Sequence, residues 1–505
     1  LAGRGDPEYA ELPEERKMGK TDPVPAPGLV MIQIDGLSRP QLERALQHGR
    51  MPHLSRLLEN GTLKSNSVYS GLPSCTPAVQ AELFYGVKNA VPSFAFLDTG
   101  TGEIVKMYSP RTAKRMQYIL QGHGRPLLKG GASYSNIFDG GALRSSYCAC
   151  QMGFSGIMGN LRSLGLIPLV FRNPFRLARI LGLMAREAVA AVRDAFRPET
   201  PLDGWIRETV FIINRIFMSV LVREIVTILA ARDIRHGLPV VHVNFVGYDE
   251  HAHRRGPASL SAHAHLREID AVISRLSAAI AAARKRSYQC WIYSDHGQEA
   301  VRSYQAVAGR SLEAAMRDIA GGIPVIRLPD PHSFPVPYRL RNRGKTPGSF
   351  WLVANPGPLV SLYSSQPLSL EERENLSMSL VRDGSVPMVF HSPGRGRVRA
   401  YSKSGWRELP EAGPDILGTG HPFPEECIRD LMTLCRHPLA GTLIVSGWIP
   451  GETPLSFFSE AGSHGGIGRE EVHGFILLPA GAVLPNKPYL RFLDIREMAL
   501  KAIGS

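Results

Sequence analysis

Three short apolar runs along the chain each lead into an acidic residue. Residues 29–34 end in Asp35-Gly36, residues 238–246 precede Asp249, and residues 289–294 run into Asp295-His296-Gly297. Continuous apolar runs of this length fit strands of a parallel sheet, buried on both faces. Helical patterns lie between them, including one over residues 39–60 closed by Asn60-Gly61. The alternation predicts an α/β fold with a doubly wound, mostly parallel sheet. Ligands of such sheets bind outside the carboxyl ends of the strands, where these three aspartates are expected.

The rest of the chain divides around that core. Residues 1–28 are polar and then Pro-rich, the pattern of an exposed arm. Core segments are expected at 29–150, 237–305 and 455–505, with a smaller α+β insertion plus remaining core over 306–454. Residues 151–236 differ in composition, with twelve Arg, no Lys and seven acidic residues among many large apolar ones. Glu208, Arg215 and Arg223 fall about two helical turns apart with apolar residues between, which predicts a helix with a thin polar stripe and a wide apolar face. This segment is expected to be a helical insertion, either a cap on the core or a membrane-facing lid that receives a lipidic substrate. Arg172, Arg176 and Arg179 beside Phe171, Pro174 and Phe175 keep the second alternative open.

Composition narrows the partners only a little. Hydrophobic residues at 44% and charged residues at 20% describe a globular protein of more than one minimal core. The formal charge of +13 suits an anionic partner, and equally a solubilising basic surface. No nucleic-acid-binding module accompanies it. Six cysteines (Cys75, Cys148, Cys150, Cys290, Cys427 and Cys435) match no zinc-ribbon spacing and leave the redox compartment open. The chain begins at Leu1, so a removed leader or anchor stays open, and no run is long and charge-free enough to span a bilayer.

The chemistry lies in five separated stretches. Besides the three aspartates they hold Cys75-Thr76-Pro77, His253 after Asp249, and Gly462-Ser463-His464-Gly465-Gly466. Asp249 and His253 at this spacing share one side of a helical turn, with His464 able to join them from a distant loop. Asp295 and His296, with Asp35, form a second set. Three Asp, three His and one hydroxyl are what a pair of divalent ions, zinc above all, takes as ligands for phosphoryl transfer. Spacing favours His253 over His251, and the glycine neighbours of His464 favour it over His473.

In this order the residues resemble the alkaline phosphatase superfamily, most closely its type I phosphodiesterase/nucleotide pyrophosphatase branch. The resemblance rests on Asp35-Gly36, on Thr76 ten residues before Gly86, on Asp249 and His253 followed by Gly256-Pro257, on Asp295-His296-Gly297, and on His464. It implies that Thr76 is the nucleophile, and that Asp35, Thr76, Asp249, His253, Asp295, His296 and His464 hold the two ions. Two adjacent positions after the nucleophile depart from the family. Its Pro-Asn after the nucleophile is Ala78-Val79 here, leaving Gln80 as the nearest amide for a phosphoryl oxygen. Cys75 and Pro77 echo a sulfatase signal, but Val79 stands where that signal needs Arg.

The expected activity is a two-metal phosphoric ester hydrolase, a phosphodiesterase first, acting through a phospho-threonine intermediate. A phosphomonoesterase, a phosphotransferase, a metal-dependent mutase and a sulfatase-like enzyme stay as alternatives. A different class is an inactive lipid- or protein-binding module built on the helical insertion. The expected partner is a phosphate ester, lipid-linked in one reading, with peripheral membrane contact through 151–236.

Overall fold

The computed structural model describes residues 26–152, 173–195, 205–328, 349–354 and 357–504. The expected arm, except for its last residues, and the start of the helical insertion, including Phe171 and Arg172, lie outside the described residues.

The central sheet has seven strands: β1 (Gly28–Ile34), β2 (Leu63–Tyr69), β3 (Ala132–Tyr134), β4 (Arg144–Ser146), β5 (Val240–Phe245), β6 (Tyr288–Tyr293) and β7 (His473–Pro479). They are ordered β2-β7-β6-β1-β5-β3-β4. The pairs β1–β5, β1–β6, β5–β3 and β3–β4 are parallel, while β7 runs antiparallel to both β6 and β2. The sheet is therefore mostly parallel, as its apolar runs predict.

Alternate residues of β1 feed two separate cores. Val30, Ile32 and Ile34 pack into one and Leu29 and Met31 into the other, all fully buried. A strand covered on both faces cannot alternate apolar with polar, which explains its uninterrupted run. The two acidic strand ends, Asp35 and Asp295, emerge side by side because β1 and β6 are parallel neighbours in register, Gln33 opposite Tyr293.

The helix expected over 39–60 is two helices, Arg39–Gln47 and Pro52–Glu59. Gly49 between them takes φ +61°, and Pro52 opens the second. Proline cannot donate its backbone N–H, so it starts a helix rather than continuing one.

Five further helices matter for the site: α1 (Thr76–Tyr85), α2 (Pro174–Ala195), α3 (Trp205–Ile216), α4 (Arg223–His236) and α5 (Gly247–Arg255). A π-helical stretch, Phe217–Val222, joins α3 to α4. The polar stripe expected on this segment is internal. Arg215 is 3% exposed and bonds Glu187 and Asp194 of α2, Arg223 bonds Glu268, and Glu208 holds Arg254 and Arg255 of α5. Buried guanidinium groups require such partners, so the stripe ties the inserted helices to each other and to the core.

Residues 306–454 were expected to add to the core. Among the described residues they give no strand to the central sheet. Their described strands build a second seven-stranded sheet, Val325–Arg327, Trp351–Ala354, Leu359–Ser364, Leu443–Ser446, Met388–Gly394, Arg397–Ser402 and Gly405–Leu409 in spatial order. Two-residue strands at Glu299–Ala300 and Gly462–Ser463 pair with each other and bring the segment after Asp295-His296 against the one before His464.

Candidate metal centre

All seven residues assigned as ligands on sequence grounds converge at the carboxyl ends of β1 and β6. Asp35 follows β1, and Asp295 and His296 follow β6. Asp249 and His253 lie one turn apart on α5, directly after β5, and His464 arrives from the loop after Gly462–Ser463. Ligand atoms of Asp35, Asp295 and His296 lie within 4.8 Å of one another, as do those of Asp249, His296 and His464. His296 therefore touches both groups, where the sequence placed it in one. Its ring stacks on that of His464 with 3.9 Å between centroids, and His253 lies 4.9 Å from His464.

Thr76 is the first residue of α1, after the extended Cys75. Its Oγ1 lies 3.4 Å from Asp35 Oδ1 and 3.3 Å from His296 Nε2. A helix N-terminus also favours negative charge at this position. Cys75 is buried beside it, and burial pushes its thiol up to about 12, so it stays protonated. The hydroxyl of Thr76 thus occupies the ligand cluster, as the count back from Gly86 indicates.

Gln80 is not brought to the cluster. It is fully buried one turn further along α1, where its Nε2 donates to Asn136 and its Oε1 accepts from the backbone of Ile137 and Phe138. Every residue of α1 except Ala78 is buried, so a one-turn step from Thr76 points into protein. The competing histidines are elsewhere as well. His251 bonds Ser261 and stacks on His265, and His473 bonds Ser67.

The imidazoles are oriented as metal ligands would be. His253 Nδ1 lies 2.9 Å from Glu460 Oε2, His464 Nδ1 lies 3.0 Å from the Ser74 carbonyl, and His296 Nδ1 lies 3.1 Å from the Gly297 carbonyl. With each Nδ1–H donating to its acceptor, Nε2 is left with a lone pair. Those Nε2 atoms face carboxylate oxygens: 3.4 Å from Asp249 Oδ2 for His253, 3.8 Å from Asp249 Oδ1 for His464, and 3.3 Å from Asp295 Oδ2 for His296. Acceptors facing acceptors in a buried space need a cation or a proton between them.

The electrostatics agree. Asp295 Oδ2 is buried with no hydrogen-bond partner, and among the described residues no Lys or Arg pairs with Asp35, Asp249 or Asp295. Burial, then the neighbouring Asp295 and Asp249, raises Asp35 well above the carboxylate range. Burial and Asp249 push Asp295 up to about 7. Burial also opposes the charge of Asp249, but His253 and His464 outweigh it and hold that carboxyl far below its usual value. Two carboxylates whose charge is opposed by burial and by their acidic neighbours fit divalent ions, and the mixed Asp/His donor set fits zinc.

Three residues missed by the sequence reading support the ligands. Asn244 Nδ2 donates to Asp35 Oδ2 at 2.6 Å, Gln298 Nε2 to Asp249 Oδ1 at 2.5 Å, and Glu460 holds His253. Asn244 in the second apolar run and Gln298 directly after Asp295-His296-Gly297 are polar residues with no role in the strand pattern, the one signal that could have flagged them. Gly36 is required by geometry. It takes φ +70°, and a Cβ there would collide with Asp249 Oδ1.

Comparison with known proteins adds a family. The model of the type I phosphodiesterase / nucleotide pyrophosphatase family, a family of phosphoric ester hydrolases, matches residues 183–356. That stretch carries Asp249, His253, Asp295 and His296. No curated protein sequence matches the chain. Similar solved structures include phosphonoacetate hydrolase from Sinorhizobium meliloti in complex with phosphonoformate, at 16% identity and TM-score 0.45, covering 95% of this chain and 97% of that one. Murine ectonucleotide pyrophosphatase / phosphodiesterase 5, an inactive variant in complex with AMP, aligns at 11% identity and TM-score 0.47 over 95% of each chain.

Proposed function

We propose that this relative of the type I phosphodiesterase / nucleotide pyrophosphatase family is a phosphodiesterase that works through a phospho-threonine intermediate at a two-metal centre. The observation that carries the proposal is Thr76 Oγ1, seated between Asp35 and His296 in a cluster of three carboxylates and three oriented imidazoles. Asp249, His253 and His464 would hold one ion; Asp35, Asp295, His296 and Thr76 the other. Bound there, two zinc ions would neutralise phosphoryl oxygens, lower the pKa of the Thr76 hydroxyl and stabilise the leaving oxygen.

The side chains account for the remaining steps. Thr76 Oγ1 gives its electron pair to phosphorus, and the bond to the leaving alcohol breaks with its pair going to the departing oxygen. The hydroxyl proton has an acceptor at Asp35 Oδ1, 3.4 Å away, because the Nε2 lone pair of His296 would be given to the ion. Water then attacks phosphorus on the opposite side and gives up a proton, and the bond to Thr76 Oγ1 breaks with its pair going to Oγ1, which is reprotonated. The N-terminus of α1 stabilises negative charge on that oxygen in both steps.

Turnover of an aryl phosphodiester, an aryl phosphomonoester and an aryl sulfate, each with and without chelator, tests this reading. The diester should be the best substrate and the chelator should abolish its turnover. Preference for the sulfate, or full activity in chelator, overturns the proposal. Thr76→Ala should retain metal and lose turnover by roughly four orders of magnitude or more.

A lipid-linked substrate and peripheral membrane contact are supported by one surface. Phe175, Leu181, Val189 and Val192 of α2 are exposed large apolar side chains, 46% or more open to solvent. The buried Glu208–Arg215–Arg223 stripe cannot contribute, so the contact is assigned to the outer face of α2. No helix among the described residues is long and apolar enough to cross a membrane. Co-sedimentation with anionic vesicles, lost in Phe175→Asp and Val189→Asp, is the expected result; equal recovery with and without vesicles overturns it.

A further inference from the structure

Resting on that reading of the site, we infer that Glu460 is a positioning residue. It fixes His253 and supplies the helix-borne half of the centre with negative charge that its ligands lack.

The three imidazoles are held differently. His464 and His296 rest on neutral backbone carbonyls, those of Ser74 and Gly297. His253 rests on a carboxylate, Glu460 Oε2 at 2.9 Å, with the Gly462 carbonyl also at 3.0 Å. A carbonyl fixes which nitrogen carries the proton. A carboxylate does that and also makes the imidazole a stronger donor. Glu460 is itself fixed, since its Oε1 accepts from Ser456 Oγ at 2.5 Å and its side chain is 8% exposed. The next residue closes the contact through the backbone, with Ala461 N–H donating to the His253 carbonyl at 2.8 Å.

Charge explains why the carboxylate is on this imidazole. The strand-borne ligands include two carboxylates, Asp35 and Asp295, whereas the helix-borne set of Asp249, His253 and His464 includes one. Adding Glu460 through His253 gives each half two carboxylates against a divalent ion while the Thr76 hydroxyl keeps its proton. The same segment carries His464 four residues on, so one stretch of chain delivers a ligand and holds another.

The test is metal competition against a chromophoric zinc indicator, on the full chain loaded with zinc, for the parent, Glu460→Gln and Glu460→Ala. Melting of the zinc-free proteins checks that each variant folds. In Glu460→Ala one of the two ions should bind about 10- to 100-fold more weakly while the other is unchanged. Glu460→Gln, which keeps an acceptor for Nδ1 but no charge, should fall between. The inference is overturned if both ions in Glu460→Ala are held within about threefold of the parent, or if both weaken equally. A parent chain that takes up less than one zinc would instead remove the two-metal reading on which the inference rests.

Discussion

The two halves of the centre are built on different supports. Asp35, Asp295 and His296 stand at the ends of adjacent parallel strands, with side chains 5% exposed or less. Asp249, His253 and His464 come from a short helix and a loop, with side chains 11–15% exposed. Sheet register brings the first set together, with Asn244 on Asp35 as its side-chain support. The second depends on side chains: Gln298 on Asp249, Glu460 on His253, and the inserted helices behind α5. There Glu208 bonds Arg254 and Arg255, the Phe211 ring lies 5.1 Å from the Arg255 guanidinium, and Asn214 bonds Glu250. The buried half is thus preformed by the core, and the more exposed half is held from behind by an insertion.

The largest effect should come from the buried half. Asp295→Asn is expected to lower turnover about a thousandfold, equivalent to about 4 kcal/mol of barrier. The same substitution should raise the melting temperature of the zinc-free protein, because it relieves the crowding that pushes Asp295 up to about 7. A zinc-free variant that melts lower than the parent would contradict a charge-strained site. Gly36→Ala comes next, because its Cβ would displace Asp249 from the strand end and force a left-handed backbone on alanine. A loss of about 1–3 kcal/mol in thermal stability with weakened zinc binding is expected; unchanged zinc binding would mean the halves do not depend on this contact.

The features that were legible from sequence follow this division. The strand-end motifs are readable because burial on both faces forces continuous apolar runs and the chemistry sits at their ends. Asp249 and His253 are readable because helical spacing is local. Glu460 lies 207 residues from His253, and nothing local marks a single Glu as its partner. Gln80 misled because α1 is buried nearly all round, so one turn beyond Thr76 the same face is already covered by Asn136, Ile137 and Phe138. The Glu208–Arg215–Arg223 stripe has the spacing of an exposed polar face, but its partners on α2, α5 and beyond lie in separate parts of the chain.

Smaller effects sharpen the comparison. Glu208→Gln leaves two guanidinium groups behind α5 without their carboxylate. It should cost on the order of 3 kcal/mol in denaturant unfolding and weaken one zinc ion a few-fold; equal weakening of both ions would argue against a separately supported half. Acid should act on the strand side. His242 on β5 bonds Tyr293 on β6 at 2.6 Å, Tyr293 bonds Gln33 on β1, and burial holds His242 at about 3. Between pH 6.5 and about 3 the unfolded chain takes up a proton that the folded one refuses. This group therefore removes about 1.4 kcal/mol of stability per pH unit as pH falls. Unfolding of His242→Gln should show a shallower pH dependence across that range, and an unchanged slope would exclude His242 as its source.

The most direct measurement is zinc per chain, by elemental analysis of protein stripped with chelator and reloaded, for the parent, Asp295→Asn and Asp249→Asn. The account predicts about two ions in the parent and about one in each variant, each losing the ion of its own half. No stoichiometric zinc in the parent, or an unchanged count in both variants, would contradict it.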